Sequence, residues 1–321
     1  MSRTFVAGLG LAAVLTTHVA AEPDPDARDR GDFWREVVSP HHDEVTALKA
    51  QLRDALAAII SDGNPEHRAG LVLEATRMAR YARQLDPGDV ELLYYLAALA
   101  DEGGHSAAAQ RQLVDYVSRT PRPSMRLDAL VRLGKIALRQ RRPELAIGAL
   151  RQALAERGDR RSTAAAAIYL AHALDAAGRT GDAIDLLASQ IATQPGAWEA
   201  QDAAIWLALA TLYDRDEQIS QAFELVMTAQ NVLGAGFAER MEAGLAAVPP
   251  VPAPEIHYTR AFVYETAGFL LEARAEWQSY LRMTTVARYR DRAAAHLAAI
   301  DGLLAARRGP ASRPARPRRS P

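Results

Sequence analysis

The sequence contains no cysteine, and its only lysines are Lys49 and Lys135, although lysine and arginine together number 38. Without cysteine the chain can form no disulfide, carry no lipid on a cysteine thiol and perform no thiol chemistry. Aromatic residues make up only 6% of the chain, and the abundant alanine favours helix instead. No phosphate loop, G-x-S-x-G or H-E-x-x-H motif occurs. An enzyme with an unrecognised site is therefore the least favoured function.

Residues 1–21 are predicted to be a secretory signal peptide. Arg3 supplies the positive start, and the 11-residue apolar run from Phe5 to Leu15 is too short to span a bilayer. Small residues precede Glu22, so we expect cleavage after Ala21. The protein is then periplasmic or secreted, and the lack of disulfides favours a bacterial periplasm. An uncleaved N-terminal membrane anchor is the alternative.

The C-terminal residues 307–321 form an Arg/Pro-rich tail. They carry six arginines and no acid, whereas the whole chain has a net charge of −1, so the remainder carries about −7. Such a composition predicts disorder. The tail could make weak contact with an anionic membrane surface, at about 1 kcal/mol per basic residue. Export argues against a nucleic-acid partner.

A spacing of small and large apolar residues recurs along the chain. Its fullest form is the block Trp206, Leu209, Ala210, Tyr213, Ala222, Val226 and Ala229. The small residue of the first segment recurs at gaps of 37, 37, 39 and 51 residues. These anchor residues are Ala97, Gly134, Ala171, Ala210 and Ala261. A pair spacing that recurs five times exceeds what helical periodicity alone requires.

This pattern resembles the tetratricopeptide repeat (TPR), a helix-turn-helix unit of 34 residues. The resemblance implies an all-α fold, a right-handed α-solenoid of TPR-like helical hairpins with a C-terminal capping helix. Small anchors such as Gly134 would let the paired helices approach closely, and larger residues such as Leu150 would fill the space between them. Each hairpin alone leaves an apolar face exposed, so the units must stack. A stack of this kind is usually a binding surface rather than an active site.

The repeats divide the chain into seven segments. The gap of 51 residues predicts an insertion, whose run from Val248 to Pro254 cannot be helical because of its prolines. The predicted segments are the signal peptide (1–21), a flexible leader (22–38), a degenerate N-terminal helical pair (39–88), four TPR-like repeats (89–233), the Pro-rich insertion (234–254), a fifth repeat with the capping helix (255–306) and the disordered tail (307–321).

The resemblance also implies a groove lined by the first helix of each unit. The groove residues it implies are Tyr94, Arg132, Lys135, Arg139, Tyr169, His172, Asp175, Thr211, Arg215, Tyr258 and Phe262. One subset of the family clamps a terminal carboxylate with Lys and Asn, but this chain has Tyr94 and Ala98 at those positions. The clamp is absent, so a chaperone-tail partner is not implied.

Arg132, Lys135 and Arg139 lie on one helical stripe because they are three and four residues apart. The stripe either contacts an anionic partner in the groove or is an ordinary solvated face in which Asp128 pairs with Arg132. The solvated face is favoured, since exposed charge stripes are common on helices.

His41, His42, Asp43 and Glu44 suggest a metal site, but adjacent residues on a helix point in different directions. No metal and no cofactor are predicted. The leading hypothesis is an exported scaffold for protein–protein interactions in assembly or positioning of cell-envelope components. It would bind a protein or peptide in its concave groove. The alternative is an envelope factor that binds an anionic polymer (peptidoglycan, lipopolysaccharide or polysaccharide) through the basic stripe and the tail.

Overall fold

A computed structural model describes residues 40–119, 123–156, 158–192 and 200–307. The predicted signal peptide, the leader and all of the tail beyond Arg307 lie outside these residues. The described part is helical throughout and contains no strand. Its helices are α1 (His42–Ser61), α2 (Pro65–Leu85), α3 (Glu91–Glu102), α4 (Ser106–Arg119), α5 (Pro123–Arg139), α6 (Pro143–Ala155), α7 (Arg160–Ala176), α8 (Thr180–Ala192), α9 (Ala200–Arg215), α10 (Ile219–Leu233), α11 (Phe237–Ala247), α12 (Glu255–Thr266), α13 (Leu270–Met283) and α14 (Arg290–Arg307).

Consecutive helices from α1 to α10 pack as neighbouring pairs, and the first helices of successive pairs also contact one another. We call α1, α3, α5, α7 and α9 the first-helix layer. Two ion pairs show that neighbours in this layer run parallel. Arg160 at the start of α7 binds Asp202 near the start of α9 at 2.7 Å, and Asp175 near the end of α7 binds Arg215 at the end of α9 at 2.9 Å. The arrangement is consistent with an α-solenoid.

The same turn joins the two helices of five pairs. In each, one residue adopts a left-handed conformation and the next backbone N–H donates to the carbonyl five residues before it, at 2.7–2.9 Å. This is the Schellman arrangement that ends many helices. The left-handed residues are Gly104, Arg141, Gly178, Glu217 and Gly268. Each lies seven residues after a predicted anchor, so the structure confirms the repeat spacing.

Polar side chains start two of the helices. The Asn64 side chain accepts hydrogen bonds from two backbone N–H groups in the first turn of α2, and Pro65 occupies the first helical position. Asp159 caps α7 in the same way by accepting from the Ser162 N–H at 2.8 Å. These caps satisfy donors that have no partner within the helix. Short polar connections therefore separate the helices at defined residues.

The predicted insertion contains a helix of its own, α11, which packs against α9. Val248–Pro254 is not helical, as predicted. One inserted helix reverses the direction of everything that follows it, so α12 runs antiparallel to α9. Thr211 contacts Thr259 at 3.1 Å, and Arg215 contacts Glu255, four residues earlier in α12. The pair α12–α13 therefore does not continue the parallel order of the first-helix layer.

Gly134 permits the close approach of α5 and α6. A Cβ atom at this position would lie 2.5 Å from Leu150 Cγ and 2.7 Å from both of its methyl carbons. Leu150 is fully buried, so the branch point of its side chain has little space to move. Gly148, on the exposed side of α6, has nothing within 4 Å of the corresponding position.

We expect Gly134→Ala to lower the free energy of unfolding by roughly 1–3 kcal/mol, because the added methyl overpacks the α5–α6 contact. The matched variant Gly148→Ala should raise it by up to about 1 kcal/mol, because alanine has the higher helix propensity. Urea denaturation followed by circular dichroism measures both. A stabilised Gly134→Ala would show that the two helices are farther apart than described.

Candidate functional site

The predicted groove residues all lie on first helices or on α12, but most of them are buried. Five of them line one open cleft, Arg139, His172, Asp175, Thr211 and Arg215. Tyr94 and Arg132 belong to a separate buried charge cluster, with Lys135 and Tyr169 beside it. Tyr258 and Phe262 are core residues against the C-terminal helices. The groove is therefore not a continuous accessible surface.

The open cleft, which we call the central cleft, has a volume of about 560 Å³. The C-terminal ends of α5, α7 and α9 form one side, and the first turn of α12 lies beside them. The loop at Pro250–Pro252 and the segment from Thr285 to Tyr289 complete it. Sequence reasoning missed these last two elements because they lie outside the repeats.

Arg215 connects three helices at the edge of the central cleft. Its Nη1 donates to Asp175 Oδ2 at 2.9 Å, and its Nη2 donates to Glu255 Oε2. The guanidinium also lies over the rings of Tyr258 and Tyr289, at 4.5 and 4.4 Å from their centroids. Burial disfavours its charge, but Glu255 and Asp175 outweigh burial and raise the pKa of Arg215 well above its usual value. Arg215 is thus committed to packing within the protein.

The segment before α14 crosses the end of α7. Arg288 Nη1 donates to the backbone carbonyl of Asp175 at 2.8 Å, and its Nη2 donates to Thr180 Oγ1 at 3.1 Å. The Tyr289 hydroxyl donates to Asp175 Oδ1 at 2.5 Å. Arg141, after α5, donates to Thr285 Oγ1. These contacts join residues more than 100 positions apart and form one wall of the central cleft.

A second buried group holds α14 itself. Asp214, which is fully buried, accepts from the Tyr258 hydroxyl at 2.7 Å, from Arg292 Nη2 at 2.6 Å and from His296 Nε2 at 3.2 Å. His296 Nδ1 lies 2.9 Å from Glu265 Oε2. Burial alone would raise the pKa of Asp214, but these donors outweigh burial and lower the pKa to about 2. Arg292 and His296 are four residues apart on an alanine-rich helix, and this spacing is the feature of the sequence that could have predicted the contact.

The basic stripe pairs internally with carboxylates of α3. Arg132 Nη1 lies 3.3 Å from Glu102 and 3.7 Å from Asp101, and Arg139 also binds Asp101. Asp128 pairs with Arg132 at 3.1 Å, as the solvated-face interpretation predicts. Arg132 is only 6% exposed, however, so the solvated-face interpretation is wrong for this residue. Tyr94 completes the cluster by donating to Asp128.

Lys135 and His172 are less well paired than their neighbours. Among the described residues, no carboxylate lies within ion-pair distance of Lys135, whose Nζ lies 5.6 Å from the centroid of the Tyr169 ring. Burial and the neighbouring Arg132 lower the pKa of Lys135. Burial and Arg215 likewise lower the pKa of His172 to about 4, so its ring is neutral at pH 7. Its Nδ1 is buried without a hydrogen-bond partner.

The described residues hold no group of three or more His, Asp or Glu side chains placed to bind a metal ion. In the segment that suggests a metal site, His41 Nδ1 lies 3.5 Å from Glu44 Oε2, and both side chains are about half exposed. None of the described helices combines the length and the apolar character that a bilayer span needs.

No protein-family model matches the chain, and no curated protein matches it. Among solved structures, the chain is similar to the crystal structure of BtubC (BKLC) from P. vanneervenii. The two are 17% identical over 79% of this chain and 96% of that chain, with a TM-score of 0.39.

Arg132 and Lys135 should respond differently to replacement by methionine, although they lie on the same stripe. Arg132→Met should lower the free energy of unfolding by about 3 kcal/mol, because it removes the buried cation shared by Glu102 and Asp128, although Arg68 still pairs with Glu102. Lys135→Met should change it much less, because it removes a partly desolvated charge that has no carboxylate partner. Chemical denaturation measures both. Equal losses would contradict the described pairing.

His296 should make stability fall as the pH rises above 6.5. Burial opposes its charge, but the hydrogen bonds to Asp214 and Glu265 outweigh burial and raise its pKa from 6.5 to about 9. The stabilisation is complete below pH 6.5 and is lost as the pH rises through 9, amounting to about 3 kcal/mol. Urea titrations from pH 6 to 10 measure this slope. His296→Gln should flatten it, and an unchanged slope in that variant would assign it to another group.

Proposed function

We propose that the protein is an exported TPR-type scaffold, a right-handed α-solenoid that binds a partner protein in the central cleft. It would serve the assembly or positioning of cell-envelope components. The observation that carries this proposal is the convergence of five predicted groove residues on one open cleft of about 560 Å³. This volume lies within the range of sites that enclose a small ligand or a few residues of a peptide.

The surroundings of the cleft support a binding role over a purely structural one. Arg139, Arg141, Thr285 and Arg288 line it and are all exposed, so a partner can reach it from solvent. The Asp175–Arg215–Glu255 contacts hold its inner side, and the Asp214 contacts hold α14 beyond its outer wall. A site whose walls are fixed before binding loses little conformational freedom when a partner arrives.

The anionic-polymer alternative loses part of its basis in the described residues. Arg132 and Arg139, two of the three stripe residues it requires, are already paired with Asp101, Glu102 and Asp128. A long polymer needs many accessible cations along its path. Arg141 and Arg288, in contrast, lie beside a cleft of limited length, which suits a short segment of a partner protein better.

Val286→Trp, which fills the central cleft, should reduce partner capture at least about tenfold, since excluding a segment worth ~1.4 kcal/mol or more has this effect. The assay immobilises the full mature chain, incubates it with cell-envelope extract and quantifies the retained material by mass spectrometry. Met283→Trp is the matched control, because Met283 is exposed at the end of α13 and outside the cleft lining. The circular dichroism spectra of both variants should match that of the unmodified chain.

Protease treatment of the extract distinguishes the two classes of partner. Loss of the retained material after digestion is expected for a protein partner. Retention that survives digestion would assign the ligand to an anionic polymer. Equal retention by Val286→Trp and the unmodified chain would place the binding surface outside the central cleft.

A further inference from the structure

The carboxylates of the central cleft are already used within the protein. Asp175 accepts from Arg215, Thr180 and Tyr289, and Glu255 accepts from Arg215. The pKa of Asp175 is lowered because Arg215 and these hydrogen bonds outweigh burial, so it stays ionised and paired. A ligand that needs a carboxylate acceptor therefore finds none free among these two residues.

The donors of the cleft are not used to the same extent. Among the described residues, no carboxylate is within ion-pair distance of Arg141, which donates to the Thr285 hydroxyl. Arg288 lies 4.0 Å from its nearest carboxylate oxygen, on Asp175, and its side chain is 47% exposed. Arg288 donates from Nη1 to the Asp175 carbonyl and from Nη2 to Thr180. Because each guanidinium carries five N–H donors, both arginines retain donors beyond these bonds. The cleft is thus rich in donors and poor in acceptors.

His172 adds a neutral donor. Its ring is uncharged at pH 7, and its Nδ1 is buried with no partner. Because a buried N–H without an acceptor is rarer than an unused acceptor, we assign the proton to Nε2. The partly buried ring lines the cleft, so this assignment places a neutral donor in its wall.

Arg141 occupies a backbone conformation that disfavours its side chain. The equivalent turn residue is glycine at Gly104, Gly178 and Gly268, whereas Arg141 has a φ of 57° and Glu217 a φ of 60°. A side chain in this region is strained, and such residues often lie at functional sites. The strained arginine lines the central cleft, and no ion pair within the described chain accounts for its presence.

The remaining walls are apolar. Leu138, Pro143, Val251, Pro252 and Val286 line the cleft between the charged groups. Pro143 and Pro252 have no backbone N–H, so this wall is poorly suited to the ladder of hydrogen bonds that pairs one strand with another. Side-chain contacts must therefore provide the rest of the binding energy.

We propose that the central cleft binds a carboxylate carried on an apolar peptide segment, with Arg141 and Arg288 as its anionic anchors. The inference rests on the proposed function and specifies the chemistry of the partner. The competing explanation is that both arginines only compensate the C-terminal dipoles of α5 and α7, which favour nearby cations. The two explanations predict opposite effects on stability when Arg141 is removed.

The experiment incubates the full mature chain with a pool of synthetic random hexapeptides with free C-termini and identifies retained peptides by mass spectrometry. We expect enrichment of peptides in which a carboxylate adjoins apolar residues. The best peptide is then resynthesised with Glu or Asp changed to Gln or Asn, and separately with an amidated C-terminus. Loss of binding by the Gln or Asn peptide identifies the carboxylate as a side chain, and loss by the amidated peptide identifies it as the chain terminus. Unchanged binding by both peptides overturns the proposal.

Arg141→Gly is the decisive variant. Removal of the anchor should lower the affinity for the retained peptide at least about tenfold. Relief of backbone strain should at the same time raise the melting temperature. Glu217→Gly relieves the same strain at a turn outside the central cleft, so it should raise the melting temperature and leave peptide binding unchanged. Lower stability of Arg141→Gly with unchanged binding would show that the arginine only compensates the helix dipole, and would overturn the proposal.

Failure of this inference and failure of the proposed function give different results. Peptides without a carboxylate that are retained by the unmodified chain and excluded by Val286→Trp would overturn the inference and leave the cleft as the partner site. Absence of any retained peptide, together with equal capture from extract by Val286→Trp, would overturn both.

Discussion

The buried guanidinium of Arg215 is the contact on which the C-terminal half of the structure depends. It joins α7 through Asp175 and α12 through Glu255, and it lies between the rings of Tyr258 and Tyr289. Buried ion pairs contribute little net stability, because desolvation offsets their attraction, yet removal of one partner is strongly destabilising. Arg215 therefore specifies which elements meet more than it strengthens their contact. Asp214 and Asp175 reinforce it, because Asp214 accepts from Tyr258 of α12 and Asp175 accepts from Tyr289 in the segment before α14.

The need for such a contact follows from the single helix in the insertion. In the first five pairs, each first helix lies parallel to the one before it, and a repeated turn sets the geometry. α11 makes the number of helices between α9 and α12 even, so α12 enters antiparallel to α9. It shares an apolar core with α9 and α10, and polar contacts join it to the end of α9, Arg215 with Glu255 and Asp214 with Tyr258. The altered order brings Thr285–Tyr289 back to the end of α7, which creates the central cleft.

The helices and their spacing could be predicted from the sequence, because anchors such as Gly134 and the turn residues that follow them depend on local packing. Most of the site could not. Arg132 has the pattern of a solvated residue within its own helix, and only the carboxylates of α3, about 30 positions earlier, explain its burial. The reversal of α12 depends on whether 237–247 is helical, and the prolines that follow it concealed that helix. Contacts between distant segments, such as Arg288 with Asp175, have no local signature at all.

Two of the five turns contain no glycine, and their backbone directs a charged side chain. All five turns require a left-handed residue, and glycine meets this need without strain. Arg141 and Glu217 meet it with strain, and their side chains line two different clefts on either side of Arg288 and Tyr289. The turn geometry fixes where each Cβ points, so a side chain placed there has a direction that a flexible loop would not give it. The same hydrogen bonds that end the helix thus aim Arg141 at the cleft.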